Sequence, residues 1–471
     1  MLARAMLMPA FLVILAAAGQ QAPAAAGSRK GRATMRAGFA RVKITPPLGT
    51  RMMGFGGRDY EHGCTAIHDD IFVRAAYLQQ GDEAAVIMGF DLCFVGRAET
   101  VRYRERLKEK LGLEPGQVLF NASHSHVGPM IGTWYWAKYV GPETAYVDQL
   151  EAAVVEAATE AKRNAREVTV WAGATRSSLP MSRRKLNAEG KAEFIPNPGG
   201  LVFGHLPLCL FRDAQGQPVC LLLSVSCHPS TIGGWEISAE YPGVALAGID
   251  AHLGATASLF LQGTGGDAKA CVIGVGSSRS AGEDHWRAGT WEDVKQAGEI
   301  VAKEVNEALD RGLTQVQPRL RSEATIVEWP MERPLDQAGY EAIAADESAP
   351  EVRRRWAKQW ADMLQRGEKL PAAVPLELQG IQIADGMRIV ALEGEAVAGW
   401  GHFFQRFFGD GVTFGLGYSN GEGLYLPTSD IMDQGGYEVD SFWEYHQPAR
   451  LAKGFEGILT KALERMHGKI R

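Results

Sequence analysis

The chain has 471 residues, of which 46% are hydrophobic and 22% charged; this excludes a disordered or fibrous protein and provides a sizeable globular core. Its formal net charge of −6 at pH 7 argues against nucleic acid or an anionic membrane as the main partner. The cysteines Cys64, Cys93, Cys209, Cys220, Cys227 and Cys271 form no CxxC pair. A zinc ribbon or thioredoxin-type site is therefore unsupported, and most read as small buried hydrophobes.

The N-terminus reads as a secretory signal over 1–26. Arg4 supplies a short basic region, and the apolar run Met6 to Ala18 is shorter than the roughly 20 residues a membrane helix needs. Ala16-Ala17-Ala18 or Ala24-Ala25-Ala26 offers a small-residue cleavage site. The expectation is export to the periplasm or the extracellular space, with no stable membrane span in the mature protein. A linker follows over 27–36, and 37–471 forms the folded part. Turn residues at Thr45-Pro46-Pro47 and Gly54-Phe55-Gly56-Gly57 break the first apolar alternation. Strands are expected over Ile71 to Tyr77, Ala84 to Phe90, Gln117 to Phe120, Leu208 to Phe211, Val219 to Ser226 and Ala257 to Leu261. Two further short strands flank a turn at Asp385-Gly386 within Ile381 to Leu392. Helical periodicity covers Arg97 to Lys110, Ala145 to Asn164, Trp291 to Leu309, Glu351 to Gln365, Ala396 to Phe408 and about Ala449 to Met466. Interleaved apolar strands and helices give an α/β fold: a single large domain with a mixed β-sheet core flanked by helices. The charged, Trp-bearing stretch 329–370 reads as a candidate insertion or cap.

Groups with chemistry gather where strands end. His124 and His126 follow the apolar run Val118-Leu119-Phe120, and Gly128-Pro129 stops the strand, so both rings sit where a strand opens into a loop. His228 closes the run Val219 to Ser226 and precedes Pro229. Glu393 and Glu395, in Leu392-Glu393-Gly394-Glu395, end a strand and open a helix; Tyr425 stands in Gly423-Leu424-Tyr425-Leu426-Pro427-Thr428. Imidazole nitrogen together with carboxylate oxygen suits zinc, whose bound water becomes a nucleophile at neutral pH. Taken singly, each of these residues reads as well as a structural histidine or a surface carboxylate.

In order and spacing these motifs resemble the neutral/alkaline non-lysosomal ceramidases, over their N-terminal catalytic domain. The resemblance runs from Gly38-Phe39-Ala40-Arg41-Val42-Lys43-Ile44-Thr45-Pro46-Pro47 through His124-Ser125-His126-Val127-Gly128-Pro129, His228, Gly266-Asp267 and Gly394-Glu395 to Tyr425-Leu426-Pro427-Thr428. It implies one zinc ion held by His124, His228, Glu395 and Tyr425. It places His126 beside the metal as proton handler, and Arg183, less surely Arg184, with Tyr437 on the substrate. The reaction it implies is cleavage of an N-acyl amide bond by a zinc-activated water, with His126, Arg183 and Tyr437 stabilising the oxyanion. The partner would be a small lipid or glycoconjugate substrate.

The chain departs from that pattern in two ways. Lys269, in Gly266-Asp267-Ala268-Lys269-Ala270, stands where the family carries a catalytic Ser, which puts a ceramide substrate in doubt. The chain also ends soon after the Tyr motif, so the family's C-terminal β-sandwich is not expected. Asp267, Lys269, Trp134 and Trp136 are the candidates for lining the substrate pocket; aromatic rings there suit an acyl chain or a sugar face. The same metal site also admits hydrolysis of a glycosidic or ester bond, with Asp267 or Glu240 as the acid a glycosidase needs. It equally admits a non-catalytic carbohydrate- or lipid-binding protein that keeps the metal. His68-Asp69-Asp70 reads as a polar turn in preference to a second cation site. Gly417-Tyr418-Ser419-Asn420-Gly421 fits a nucleophile elbow in letters only, because Gly421, Gly423 and Pro427 make a poor helix start.

Overall fold

Apolar runs that alternate or stay buried pair into two large sheets, of nine and four strands. A computed structural model describes residues 34–132, 141–275 and 285–470. The expected signal over 1–26 and the aromatic candidates Trp134 and Trp136 lie outside them. The strands of the first sheet are β1 (Met35–Lys43), β2 (Phe72–Gln80), β3 (Glu83–Phe90), β4 (Val118–Ala122), β5 (Arg166–Arg176), β6 (His205–Arg212), β7 (Pro218–Val225), β8 (Ser258–Gln262) and β9 (Thr314–Val316). Their order is β8-β7-β6-β5-β1-β2-β3-β4, with β9 also on β5. The second sheet runs β10 (Pro318–Pro330), β11 (Ala373–Ala384), β12 (Met387–Leu392) and β13 (Val412–Leu416) in that order.

The sheets stack face to face. Ala37, Leu78 and Ile87 of the first share a buried cluster with Ile381, Ile389 and Phe414 of the second. Helices cover both outer faces. α1 (Arg97–Leu111) and α2 (Thr144–Arg163) pack Tyr103, Leu107, Leu150 and Val154 against Val73, Val86 and Val118. α3 (Glu240–Leu253) and α4 (Trp291–Arg311) cover β6 and β7. In α2 the buried residues Tyr146, Val147, Leu150, Val154, Ala157 and Ala161 recur at helical spacing, so burial of that stripe drives the helix onto the sheet.

The stretch that reads as an insertion leaves the second sheet at the paired residues Pro330 and Ala373. It forms α5 (Gln337–Ala345) and α6 (Glu351–Gln365), whose Tyr340, Trp356 and Trp360 make a small core of their own with Phe442 and Trp443. Trp329 itself belongs to β10, opposite Val374. α7 (Ala398–Phe408) and α8 (Phe455–Ile470) close the other outer face. α8 begins at Phe455 rather than near Ala449, because Leu451 first forms a bridge to Met331.

α4 starts on a reciprocal cap. Asp293 accepts from the backbone N–H and hydroxyl of Thr290 at 2.8 and 2.7 Å, and Thr290 accepts from the Asp293 N–H. The Arg287 guanidinium and these donors hold the Asp293 carboxyl well below the usual carboxylate range. Asp293→Asn is expected to cost about 1–2 kcal/mol at pH 7. A folded value below the unfolded one gives a contribution that is complete above the unfolded value. The difference between wild type and variant should therefore shrink as pH falls below about 4. Urea midpoints at pH 7 and pH 3.5 check this.

Candidate metal centre

The pairs β3/β4, β7/β8 and β12/β13 are parallel, and ligands bind beyond the carboxyl ends of such strands. His124 follows β4, His228 follows β7, Glu395 follows β12, and Tyr425 lies in a two-residue strand paired with Glu395. Asn121 joins these ends: its amide donates to Gly417 O at 2.9 Å and its oxygen accepts from Gln262 N at 2.7 Å. Being fully buried, it cannot serve as the glycosylation site its Asn-Ala-Ser context suggests.

Two local devices aim the ligands. His124 takes a left-handed φ of 68°, uncommon for a residue with a side chain and a mark of functional turns. Gly394, at φ 132°, separates Glu393 from Glu395, and a Cβ there would lie 2.6 Å from Leu424 O. Glu393 thus turns away to a bidentate pair with Arg97 at 2.8 and 2.6 Å, which removes it as a ligand candidate.

The Nδ1 of His124 faces Cys93 O, and that of His228 faces Gly265 O, each at 2.8 Å. Donation to those carbonyls leaves both Nε2 lone pairs free, the usual second partner of a metal-ligating imidazole. Glu395 Oε2 lies 3.4 Å from His124 Nε2 and 3.1 Å from His228 Nε2; the Tyr425 hydroxyl is 3.2 Å from His228 Nε2. Donors about 2.0–2.1 Å from one tetrahedral ion stand about 3.3 Å apart. Burial and then Arg183 lower His228 to about 4, so its ring is neutral at pH 7. Burial alone would raise the Glu395 carboxyl, but His124 and His228 hold it well below its usual value. Two Nε2 atoms and a tyrosine hydroxyl turned toward one carboxylate oxygen form a donor set that a cation between them would satisfy. His124 Nε2 is moreover buried with no hydrogen-bond partner. These residues fit a divalent metal.

Around them, Tyr445 donates to Glu395 Oε1 at 2.6 Å, and Arg183 donates to the Tyr425 hydroxyl at 2.9 Å and to Glu438 at 2.7 Å. Burial disfavours the Arg183 charge, but Tyr425 and Glu438 outweigh it and keep the guanidinium firmly protonated. Arg184 joins the same Glu438 carboxylate from the other side. Both ring nitrogens of His126 are out of solvent and unpartnered, with the ring 4.7 Å from His124. Burial, followed by His124 and His228, pushes its pKa well down. Gly54 makes room for it: at φ 115°, a Cβ there would sit 2.6 Å from His126 Cα. Tyr437 is 37% exposed, packs edge-on to Tyr425 and donates its hydroxyl to Glu444.

These groups open into one cavity of about 330 Å³, with His124, His126, Arg183, Glu395, Tyr425 and Tyr437 in its wall beside Phe55, Phe94, Phe194 and Lys269. Asp267, expected in this pocket, is not among its lining residues. Its carboxylate caps α7 through Ala398 N at 2.8 Å, and burial raises its pKa to about 6. Glu240, the other acid proposed for glycoside chemistry, is spent on the backbone amides of Thr231, Ile232 and Tyr241. Ser419 is buried and donates to Gly417 O, so it is no nucleophile elbow. His68 stacks on Trp291 and contacts Asp69. Cys227 is buried and outside the ligand groups; the cysteines form no disulfide. Cys93, by contrast, groups with His124 and His126.

Glu422, Glu438 and Tyr445 carry no signal in the sequence. Glu422 lines the cavity, and burial, then Glu395, pushes its carboxyl well above the usual carboxylate range. Glu422 enters from a loop, Glu438 from the four-residue helix Tyr437–Asp440 and Tyr445 from the single turn Ser441–Tyr445, segments too short to show a period.

No protein-family profile and no curated protein sequence matches the chain. Solved structures do share its fold. A ceramidase complexed with C2 superposes with a TM-score of 0.70 at 15% identity, over 93% of this chain and 76% of that one. The neutral ceramidase from Pseudomonas aeruginosa gives 0.69 at 15% identity, over 92% and 74%. The fold is that of the neutral ceramidases, as the sequence motifs imply.

Proposed function

We propose that this chain is an exported, zinc-dependent hydrolase that cleaves the amide bond of an N-acyl substrate. The observation that carries the reading is the convergence of His124 Nε2, His228 Nε2, Glu395 Oε2 and the Tyr425 hydroxyl in the wall of an aromatic cavity. Zinc held there would polarise a carbonyl oxygen and supply a water acidic enough to ionise near neutral pH. His126, with two unpartnered nitrogens, takes a proton from the attacking water and passes one to the departing amine nitrogen. Arg183 has Nε on Glu438 and Nη2 on Tyr425, which leaves Nη1, 3.5 Å from His228 Nε2, for the developing oxyanion. Tyr437 forms the half-open edge over the substrate. Phe55, Phe94 and Phe194 exclude water and receive an acyl chain.

The shared fold with proteins described as ceramidases supports amide chemistry. The glycosidic alternative has lost both of its acids, Asp267 and Glu240, to structural hydrogen bonds. Export rests on the N-terminal sequence. No helix among the described residues is long and apolar enough to cross a membrane.

Metal analysis with a parallel hydrolysis screen tests the proposal. The purified chain should hold about one zinc per molecule and release amine from N-acyl amides, but no alcohol from aryl glycosides or esters. Release of the aryl alcohol alone would move the chemistry to those bonds. A folded, zinc-loaded protein inert on all three would be a binding protein.

A further inference from the structure

Among the described residues, one cation in the cavity makes no ion pair; burial and then Arg183 oppose its charge, and Glu240 favours it electrostatically. Lys269 is the middle residue of the short strand Ala268–Ala270, between two buried alanines. It pairs with Met181 and bridges to His228, which sets it beside the metal centre. Lys269 lines the cavity, and its ammonium lies 5.9 Å from the ring centroid of Phe194, another lining residue, and 5.5 Å from that of Trp286. Among the described residues it has no ion-pair or hydrogen-bond partner. The other cation there, Arg183, is satisfied by Glu438 and Tyr425. The Glu395 carboxylate accepts from Tyr445 and faces the two imidazoles of the metal centre. Ring faces compensate a sheltered ammonium only in part, whereas an anion forms a charge-assisted hydrogen bond with it.

We infer that the substrate carries an anionic group, which pairs with Lys269 Nζ while the scissile bond lies at the metal centre. The substrate class is an acidic N-acyl amide such as an N-acyl amino acid or an N-acyl sulfonate or phosphate, and not a neutral N-acyl alcohol amine. The bond rests on the amide-hydrolase reading above; the charge rests on the cavity alone.

Calorimetry on the full chain loaded with zinc separates the two. The probes are N-dodecanoylglycine, N-dodecanoyltaurine, N-dodecanoylphosphoethanolamine and the neutral N-dodecanoylethanolamine. At least one anionic probe should bind about 10- to 100-fold more tightly than the neutral one, and the tightest identifies carboxylate, sulfonate or phosphate. Lys269→Met should bring that ratio to within about threefold, while Lys269→Arg keeps most of it. Equal binding of charged and neutral probes by the wild-type chain, binding of none of them, or a preference that survives in Lys269→Met would overturn the inference. Turnover of the same probes is scored independently. Anion-selective binding without amide cleavage would retain the charge assignment and remove the amide reading.

Discussion

His228→Ala is expected to lower kcat/KM by at least ~10³-fold and to leave less than about a tenth of the metal. His228 Nε2 lies within 3.2 Å of both Glu395 and Tyr425, so its loss opens the middle of the ligand set. His124→Ala should behave in the same way. His126→Ala is the control that gives the result meaning: its nitrogens ligate nothing in this arrangement, so metal should stay bound while kcat falls by about 10²–10⁴-fold. Metal content by mass spectrometry and steady-state kinetics on the three variants read this directly. Metal and activity both retained in His228→Ala would remove that residue from the centre. Loss of metal in His126→Ala would reassign it as a ligand, a role its grouping with Cys93 and His124 allows.

Much of the fold is legible where one face of an element is buried. Trp356, Ala357, Trp360 and Ala361 recur at helical spacing in α6, and its sequence-derived bounds match the structure. β7 is buried along nearly its whole length and reads as an apolar run. β5 is missed because its outward positions hold Arg166, Glu167, Thr169 and Thr175, and its inward ones alternate only as Val168, Val170 and Ala172. α3 is missed because Pro242, Gly243 and Gly248 suppress its helical signal; Gly248 is needed where a Cβ would lie 2.9 Å from Ala302.

The site divides along the same line. His124, His228 and Glu395 are legible because each follows the end of an apolar strand. Their convergence is not, since it depends on three parallel strand pairs whose partners are 25 to 37 residues apart, two in the first sheet and one in the second. Glu393 and Glu395 look equivalent in sequence; Arg97, nearly three hundred residues away, and the backbone of Gly394 decide between them. Asp267 shows the reverse error. It lies in a glycine-rich strand end that reads as catalytic, yet its carboxylate is needed for the first turn of α7.

Glu438→Ala should be the most destabilising substitution near the site. The Glu438 carboxylate is only 2% exposed and serves both Arg183 and Arg184, themselves 4% and 7% exposed. Cutting a buried pair by removing one partner costs about 3–5 kcal/mol, because the charges left behind stay out of water. Two guanidiniums would share that fate here. Arg183 would also lose the anchor that holds it on Tyr425, so metal affinity should fall along with the urea midpoint. Arg183→Met and Arg184→Met added to Glu438→Ala separate the two effects. Replacing a whole buried ionic cluster by apolar side chains is often neutral for stability, so the triple variant should recover most of the lost midpoint. It should not recover activity, because no donor would then remain on Tyr425 or for the oxyanion. If Glu438→Ala unfolds at the wild-type midpoint, the two arginines have found solvent or another anion. If the triple variant is as active as wild type, Arg183 has no part in the chemistry. Recovered folding without recovered catalysis is the outcome that assigns this cluster to positioning the site at the expense of a desolvation cost the fold would otherwise avoid.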